Sequence, residues 1–205
     1  MNILYIHGMG GGADSRIPAI LDEALRPAVR VVCRTYSFDP EAAAAQIAAW
    51  VEELHPAVVI GESLGACHAL RVRGVPHILV SPSLGAPLYL GYLAFLALIP
   101  GVPWLLGRIY KPREGDRQKL DFRFEVLRKY REHRRLALAT AASSGDSYFA
   151  FFGRRDHYRR SGIVSLRAWR RHFGDTFAIY DGTHFMEEEF IQSMLLPRII
   201  ELTKK

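Results

Sequence analysis

The chain has 205 residues, enough for one domain with a real core, and its 49% hydrophobic and 23% charged content is that of an ordinary globular protein. Its two cysteines, Cys33 and Cys67, exclude a disulfide scaffold; both sit in apolar runs where buried free thiols are expected. The net charge of +6 is local, because 11 Lys/Arg stand against 5 Asp/Glu between Arg108 and Arg135 while the remainder is balanced.

That basic segment reads first as a solvated, Arg-rich helix face and second as an attraction for an anionic surface or substrate. No RNP, zinc-finger or helix-turn-helix pattern accompanies it, so nucleic acid is not an expected partner. The N-terminus shows no basic n-region, apolar h-region or cleavage site, and a cytoplasmic location is the expectation.

Short β-branched runs alternate with helical patterns, which predicts βαβ units and a parallel sheet. Asn2–Ile6 is the first expected strand, followed by the loop Gly8-Met9-Gly10-Gly11-Gly12. A helix capped by Asp14 or Ser15 runs to Leu25 and is ended by Pro27. Val29–Cys33 is the second strand. Asp39 then caps an alanine-rich helix to about Leu54, with Pro40 at its first position. Ala57–Ile60 is a short buried strand, Ser63–Arg71 a helix after a tight turn, and His77–Val80 another strand.

At Ser81 the alternation stops. No charged residue occurs from Ala86 to Gly107, and Gly91, Pro100, Gly101 and Pro103 interrupt the apolar run. It is too short to span a bilayer and reads as a buried helix pair, a lid or an interfacial patch. A long charged helix is expected over Leu120–Ala142. The pattern then resumes with strand Tyr148–Phe152, helix Ser161–His172, strand Thr176–Tyr180 and a helix from Glu187 to the C-terminus.

Gly61-Glu62-Ser63-Leu64-Gly65 fits the G-x-S-x-G turn, in which a serine sits on a sharp strand-to-helix bend with its oxygen pointing out of the sheet. The glycines are needed because a Cβ there would strike the neighbouring helix and strand. The helix N-terminus beneath it favours the negative charge of attack. Ser81-Pro82-Ser83-Leu84-Gly85 also follows a strand but lacks the first glycine, so Ser83 reads as a loop serine.

A serine nucleophile needs a base and a group to orient it. Among histidines 7, 55, 68, 77, 133, 157, 172 and 184, His184 is best placed, in a loop directly after the last strand. His68 lies five positions beyond Ser63 on the same helix and reads as structural; His133 and His172, on charged helices, read as solvated. Asp156 follows its strand in the same way, whereas Asp146 and Asp175 precede theirs and Asp181 is too near His184 in sequence. Leu64 and Met9 are the expected backbone N–H donors to an oxyanion. For the glycine loop a plain flexible turn is the alternative. A phosphate loop is not, since Gly-Lys-Ser/Thr is missing and position 13 is Ala13. His7 is expected to hold that loop by hydrogen bonds.

Four motifs in order, His7-Gly8, Gly61-x-Ser63-x-Gly65, Gly153-x-x-Asp156 and Gly182-x-His184, make nearly the whole chain resemble the α/β-hydrolase superfamily. The resemblance implies a three-layer α/β/α sandwich around a mostly parallel six-stranded sheet, in one domain spanning 1–205. It also implies catalytic Ser63, Asp156 and His184, no metal or cofactor, and a helical insert, placed here at 82–144. The first two strands of the usual family sheet are missing, as in the compact members, many of them esterases. The expected activity is hydrolysis of a carboxylic ester or thioester whose acyl group is hydrophobic, with residues Leu88–Leu106 walling its pocket or forming a lid. Core packing or a dimer contact is the other reading of that stretch. The rivals are a carbon–carbon hydrolase or acyltransferase with the same triad, and a silent module that binds a lipid surface or a protein through residues 86–135. Superfamily membership does not choose among them.

Overall fold

A computed structural model describes residues 1–111 and 114–203. Pro112 and Arg113 of the expected insert, and the last two residues of the expected C-terminal helix, lie outside the described residues.

Six strands form one all-parallel sheet: β1 (Asn2–Ile6), β2 (Arg30–Cys33), β3 (Val58–Glu62), β4 (His77–Val80), β5 (Tyr148–Gly153) and β6 (Phe177–Tyr180), in the order β2-β1-β3-β4-β5-β6. Strands buried on both faces carry apolar residues throughout, and the two-residue period divides them between two cores. Leu4, Ile6, Val59, Leu79 and Phe152 meet the helices of one face: α2 (Pro40–Leu54), α3 (Gly65–Ala69), α7 (Lys129–Ser144) and α9 (Leu166–Phe173). Ile3, Tyr5, Ile60, Ile78 and Phe151 meet α1 (Arg16–Leu25) and the C-terminal segment on the other. That segment comprises α10 (Glu188–Phe190), a π turn at Ile191–Leu195 and α11 (Leu196–Thr203).

Between β4 and β5 stand α4 (Ala86–Leu96), α5 (Val102–Ile109), α6 (Phe124–Leu127) and α7. A third core, with Phe38, Leu64, Leu90, Phe122, Leu127 and Tyr130, seats this region above Ser63. Only part of the expected buried helix pair is buried. In α4, Pro87, Leu90, Gly91 and Ala94 pack inward, whereas α5 buries no residue.

The helix expected over Leu120–Ala142 is broken. Asp121 accepts the Arg123 amide at 3.0 Å, an Asx turn that holds Arg123 extended, and Phe122 turns into the third core. The continuous helix begins only at Lys129 and runs to Ser144. Within it Tyr130, His133, Ala137 and Ala141 form an inward stripe at helical spacing. His133, expected in solvent, is therefore buried at 3% exposure; the charges at positions 131, 132, 134 and 135 flank the stripe and hide it in the sequence. The helix expected over Ser161–His172 starts later, at Leu166, after a separate short helix. α8 (Tyr158–Ser161) ends at Gly162 with φ +77°, and α9 starts where the Ser165 hydroxyl accepts the Ala168 amide.

Candidate active site

Four loops meet at the carboxyl edge of the sheet, where parallel sheets place their ligands. They follow β1, β3, β5 and β6 and carry Met9, Ser63, Asp156 and His184. Ser63 lies on a bend too tight for ordinary backbone geometry, with φ +51°. The bend requires its glycines. A Cβ on Gly65 would drive into the carbonyls of Ile6 and His7, and one on Gly61 would come within 2.7 Å of the Ala69 Cβ.

The Ser63 hydroxyl is 2.9 Å from His184 Nε2, and His184 Nδ1 donates to Asp156 Oδ2 at 2.7 Å. Asp156 Oδ1 accepts the Tyr158 amide at 2.8 Å, so both carboxylate oxygens are held. Asp156 and His184 are 4% and 2% exposed, which shields their hydrogen bond from water. The structure thus brings together the three side chains singled out in the sequence. Gly153 permits the approach of the His184 loop, because a Cβ there would strike the Thr183 carbonyl.

The glycine loop is fixed from below. His7 Nδ1 donates to the Gly8 carbonyl at 2.7 Å, its ring stacks on Tyr36 at 4.2 Å, and the Tyr36 hydroxyl donates to the His7 carbonyl at 2.5 Å. Burial lowers the His7 pKa to about 4 and keeps the imidazole neutral. Gly8 lies against Ser63, with room for a Cβ only at 3.1 Å from the Ser63 Cβ. Along the loop, the Gly10, Gly11 and Gly12 amides are taken by Gln118, Gly8 and Ser15 respectively. The Met9 and Leu64 amides are engaged by no acceptor among the described residues.

Three contributors escape the sequence reading. Ser83, read there as a loop serine, is buried with its Oγ 3.1 Å from that of Ser63. Gln118, an uncharged residue within the basic segment, accepts the Gly10 amide at 3.1 Å and donates to the Tyr36 and Ser37 carbonyls at 3.2 Å. Glu62, the variable residue before Ser63, accepts the Tyr5 hydroxyl at 2.8 Å, and burial pushes its carboxyl above the usual range. No local pattern signals any of the three, since each acts through a partner distant in sequence.

Ser63 opens on an apolar cleft of about 180 Å³, walled by Leu64, Ala86, Tyr89, Leu90, Tyr158 and Ile163. The Tyr89 hydroxyl donates to the Ser161 carbonyl, tying α4 to α8 across the cleft. A more polar cavity on the other side of the glycine loop is lined by Arg16, Glu62, Arg117 and Phe185. Among the described residues no cluster of three His, Cys, Asp or Glu could hold a metal ion.

The model of the Alpha/beta hydrolase family matches residues 3–198. The chain belongs to this family. Similar solved structures include a monoacylglycerol lipase of Paleococcus ferrophilus, with 19% identity and a TM-score of 0.68 over 99% of this chain and 94% of that one. The thioesterase domain of the curacin biosynthetic pathway shares 19% identity with a TM-score of 0.60, over 97% and 90% of the two chains. The bottromycin epimerase BotH shares 13% identity with a TM-score of 0.54, over 98% and 90%. At these identities the likeness is one of fold, and the fold is shared by hydrolases and an epimerase. A search of the curated proteins finds no match.

Proposed function

We propose that this α/β hydrolase is a serine hydrolase of carboxylic esters or thioesters. The observation that carries the reading is the unbroken hydrogen-bonded series Asp156–His184–Ser63, at 2.7 and 2.9 Å, beside two amides that no acceptor among the described residues engages.

In this reading Ser63 Oγ attacks the substrate carbonyl carbon while its proton passes to His184 Nε2. Asp156 holds the imidazole in the tautomer that presents Nε2 as an acceptor and stabilises the imidazolium that forms. The Met9 and Leu64 amides donate to the carbonyl oxygen as it becomes an oxyanion. Collapse breaks the bond to the leaving oxygen or sulfur, and His184 returns the proton to it. Water then attacks the acyl group on Ser63, giving its proton to His184; release of the acid restores Ser63. His7, Gly8, Gly61 and Gly65 support the two loops. The acyl group lies in the apolar cleft, and the whole chain works as one domain with residues 82–144 as an insert roofing it. The unpaired thiols Cys33 and Cys67 support a reducing location, the cytoplasm.

Initial rates on p-nitrophenyl esters and acyl thioesters of increasing chain length test this. Hydrolysis is expected, faster for longer acyl groups, and Ser63→Ala lowers kcat on the order of 10⁴-fold or more. Absence of hydrolysis overturns the assignment and favours the silent-module reading, whereas hydrolysis undiminished in Ser63→Ala overturns Ser63 as the nucleophile. Equal rates at every length overturn the acyl cleft alone. Transfer of the acyl group to an added alcohol in preference to water would favour the acyltransferase reading.

A further inference from the structure

The insert presents an apolar surface that the catalytic proposal does not use. In α4 the outward side chains Tyr92, Phe95 and Leu96 are 64%, 60% and 53% exposed; in α5 Trp104 and Ile109 are 67% and 63% exposed. Leu98 and Ile99, at the turn between them, are exposed as well. Scattered single apolar residues are normal on a protein surface, but so many large ones exposed along two consecutive helices and the turn joining them are not.

The charges around this surface indicate what covers it. No Asp or Glu occurs from Pro82 to Arg113, while Arg108, Lys111 and Arg131 are exposed and form no ion pair among the described residues. Instead, two of them lie over the apolar rings. The Arg131 guanidinium sits 4.3 Å from the centre of Tyr92, and that of Arg108 5.6 Å from the centre of Trp104. A second copy docked on this face would bring like charges together. An anionic lipid surface takes both parts at once: the rings and aliphatic groups enter the acyl boundary, and the guanidinium and ammonium groups stay at the headgroups. Trp, Tyr and Arg are the side chains that settle at such a boundary. No helix among the described residues is long and apolar enough to span a bilayer, so a segment of this kind would lie in the interface.

We propose that α4, α5 and the turn joining them dock the protein on an anionic membrane surface. Because Tyr89 and Leu90 of α4 wall the Ser63 cleft while Tyr92 and Phe95 of the same helix face outward, docking sets the cleft mouth beside the lipid. This deepens the hydrolase reading by naming its substrate class, an acyl ester or thioester held in a membrane. The docking itself does not depend on Ser63.

Flotation of the full chain with vesicles tests the assignment, using phosphatidylcholine containing phosphatidylglycerol against phosphatidylcholine alone. Binding to the anionic vesicles is expected, weakened by salt. Trp104 emission should shift to the blue, and Trp104→Phe should remove that shift. Arg108→Gln with Lys111→Gln lowers binding about tenfold or more. Phe95→Ser with Trp104→Ser and Ile109→Ser abolishes it while the circular dichroism spectrum stays that of the parent. Failure to float, equal flotation on both vesicles, undiminished binding by the serine variant, or a dimer in sedimentation velocity that the serine variant breaks would each overturn the proposal. Flotation without ester hydrolysis would leave docking standing and remove the hydrolase reading; hydrolysis of soluble esters without flotation would do the reverse.

Discussion

The hydroxyl of Ser83 lies 3.1 Å from the hydroxyl of Ser63, on a segment whose amide donates to the Ser63 carbonyl at 3.0 Å. Ser63 has one proton, and in the proposed chemistry it points to His184. Ser83 Oγ also donates to the Ser81 carbonyl at 3.3 Å, so its one proton is shared between that carbonyl and the Ser63 oxygen, which it holds in the rotamer that faces the cleft. Ser83→Ala should lower kcat about threefold to tenfold with KM unchanged, the worth of one neutral hydrogen bond. Steady-state rates on a soluble ester decide it, and an unchanged kcat would remove Ser83 from the site.

Gln118 ties the glycine loop to the segment after β2, and a side chain that holds two loops should matter for the geometry of the oxyanion donor. Gln118→Ala leaves the Gly10 amide and two carbonyls without their partner. Folding stability should fall by about 1–3 kcal/mol. The expected kinetic effect is a kcat reduced about tenfold or more with a smaller change in KM, because the Met9 amide is needed most in the transition state. Gln118→Glu keeps the acceptor for Gly10 and should recover part of the rate. Equal losses of kcat in both variants would point to a purely structural role.

Four histidines are buried and kept neutral, which makes stability depend on acid. Burial lowers His7 and His77 to about 4, His133 to about 3 and His68 well below its ordinary value, with the tilted rings of His68 and His133 centred 4.2 Å apart. The folded values lie below the unfolded ones, so between about pH 6.5 and pH 4 the unfolded chain binds more protons. Stability is therefore full above pH 6.5 and is lost as the pH falls, by up to about 1.4 kcal/mol per pH unit for each histidine. Urea midpoints measured from pH 7.5 to pH 4.5 should drop steeply, and His133→Phe should flatten the slope. A flat profile in the parent protein would refute the burial of these histidines in the neutral form.

Glycines in the chain differ sharply in what a methyl group would meet. Gly65→Ala forces a Cβ into backbone carbonyls that cannot yield, and should cost about 1–3 kcal/mol or more together with most of the activity. Gly107→Ala, in α5, meets nothing within 4 Å among the described residues and should be neutral or stabilising by about 0.5–1 kcal/mol. Thermal midpoints of the two variants, compared with the parent, check both.

The Ser63 turn is legible because its backbone geometry demands glycine at fixed offsets, and short apolar, largely aromatic runs mark the strands that lead to Asp156 and His184. The six strands and their parallel arrangement follow from the same alternation. Burial of His133 was not legible, since a local count of charges cannot tell which face of α7 they occupy. Asp121 broke an expected helix through a side-chain-to-backbone bond that propensity does not register. Ser83 and Gln118 take their roles from partners across the fold, which no spacing along the chain encodes.

The central claim is that Ser63 is a nucleophile activated by His184. Treatment of the full chain with a fluorophosphonate, followed by mass spectrometry of the peptides, tests it without any assumption about substrate. One adduct on Ser63 is predicted, slowed on the order of 10³-fold or more in His184→Ala and lost in Ser63→Ala. An unmodified parent protein, or equal labelling of Ser63→Ala, would contradict it.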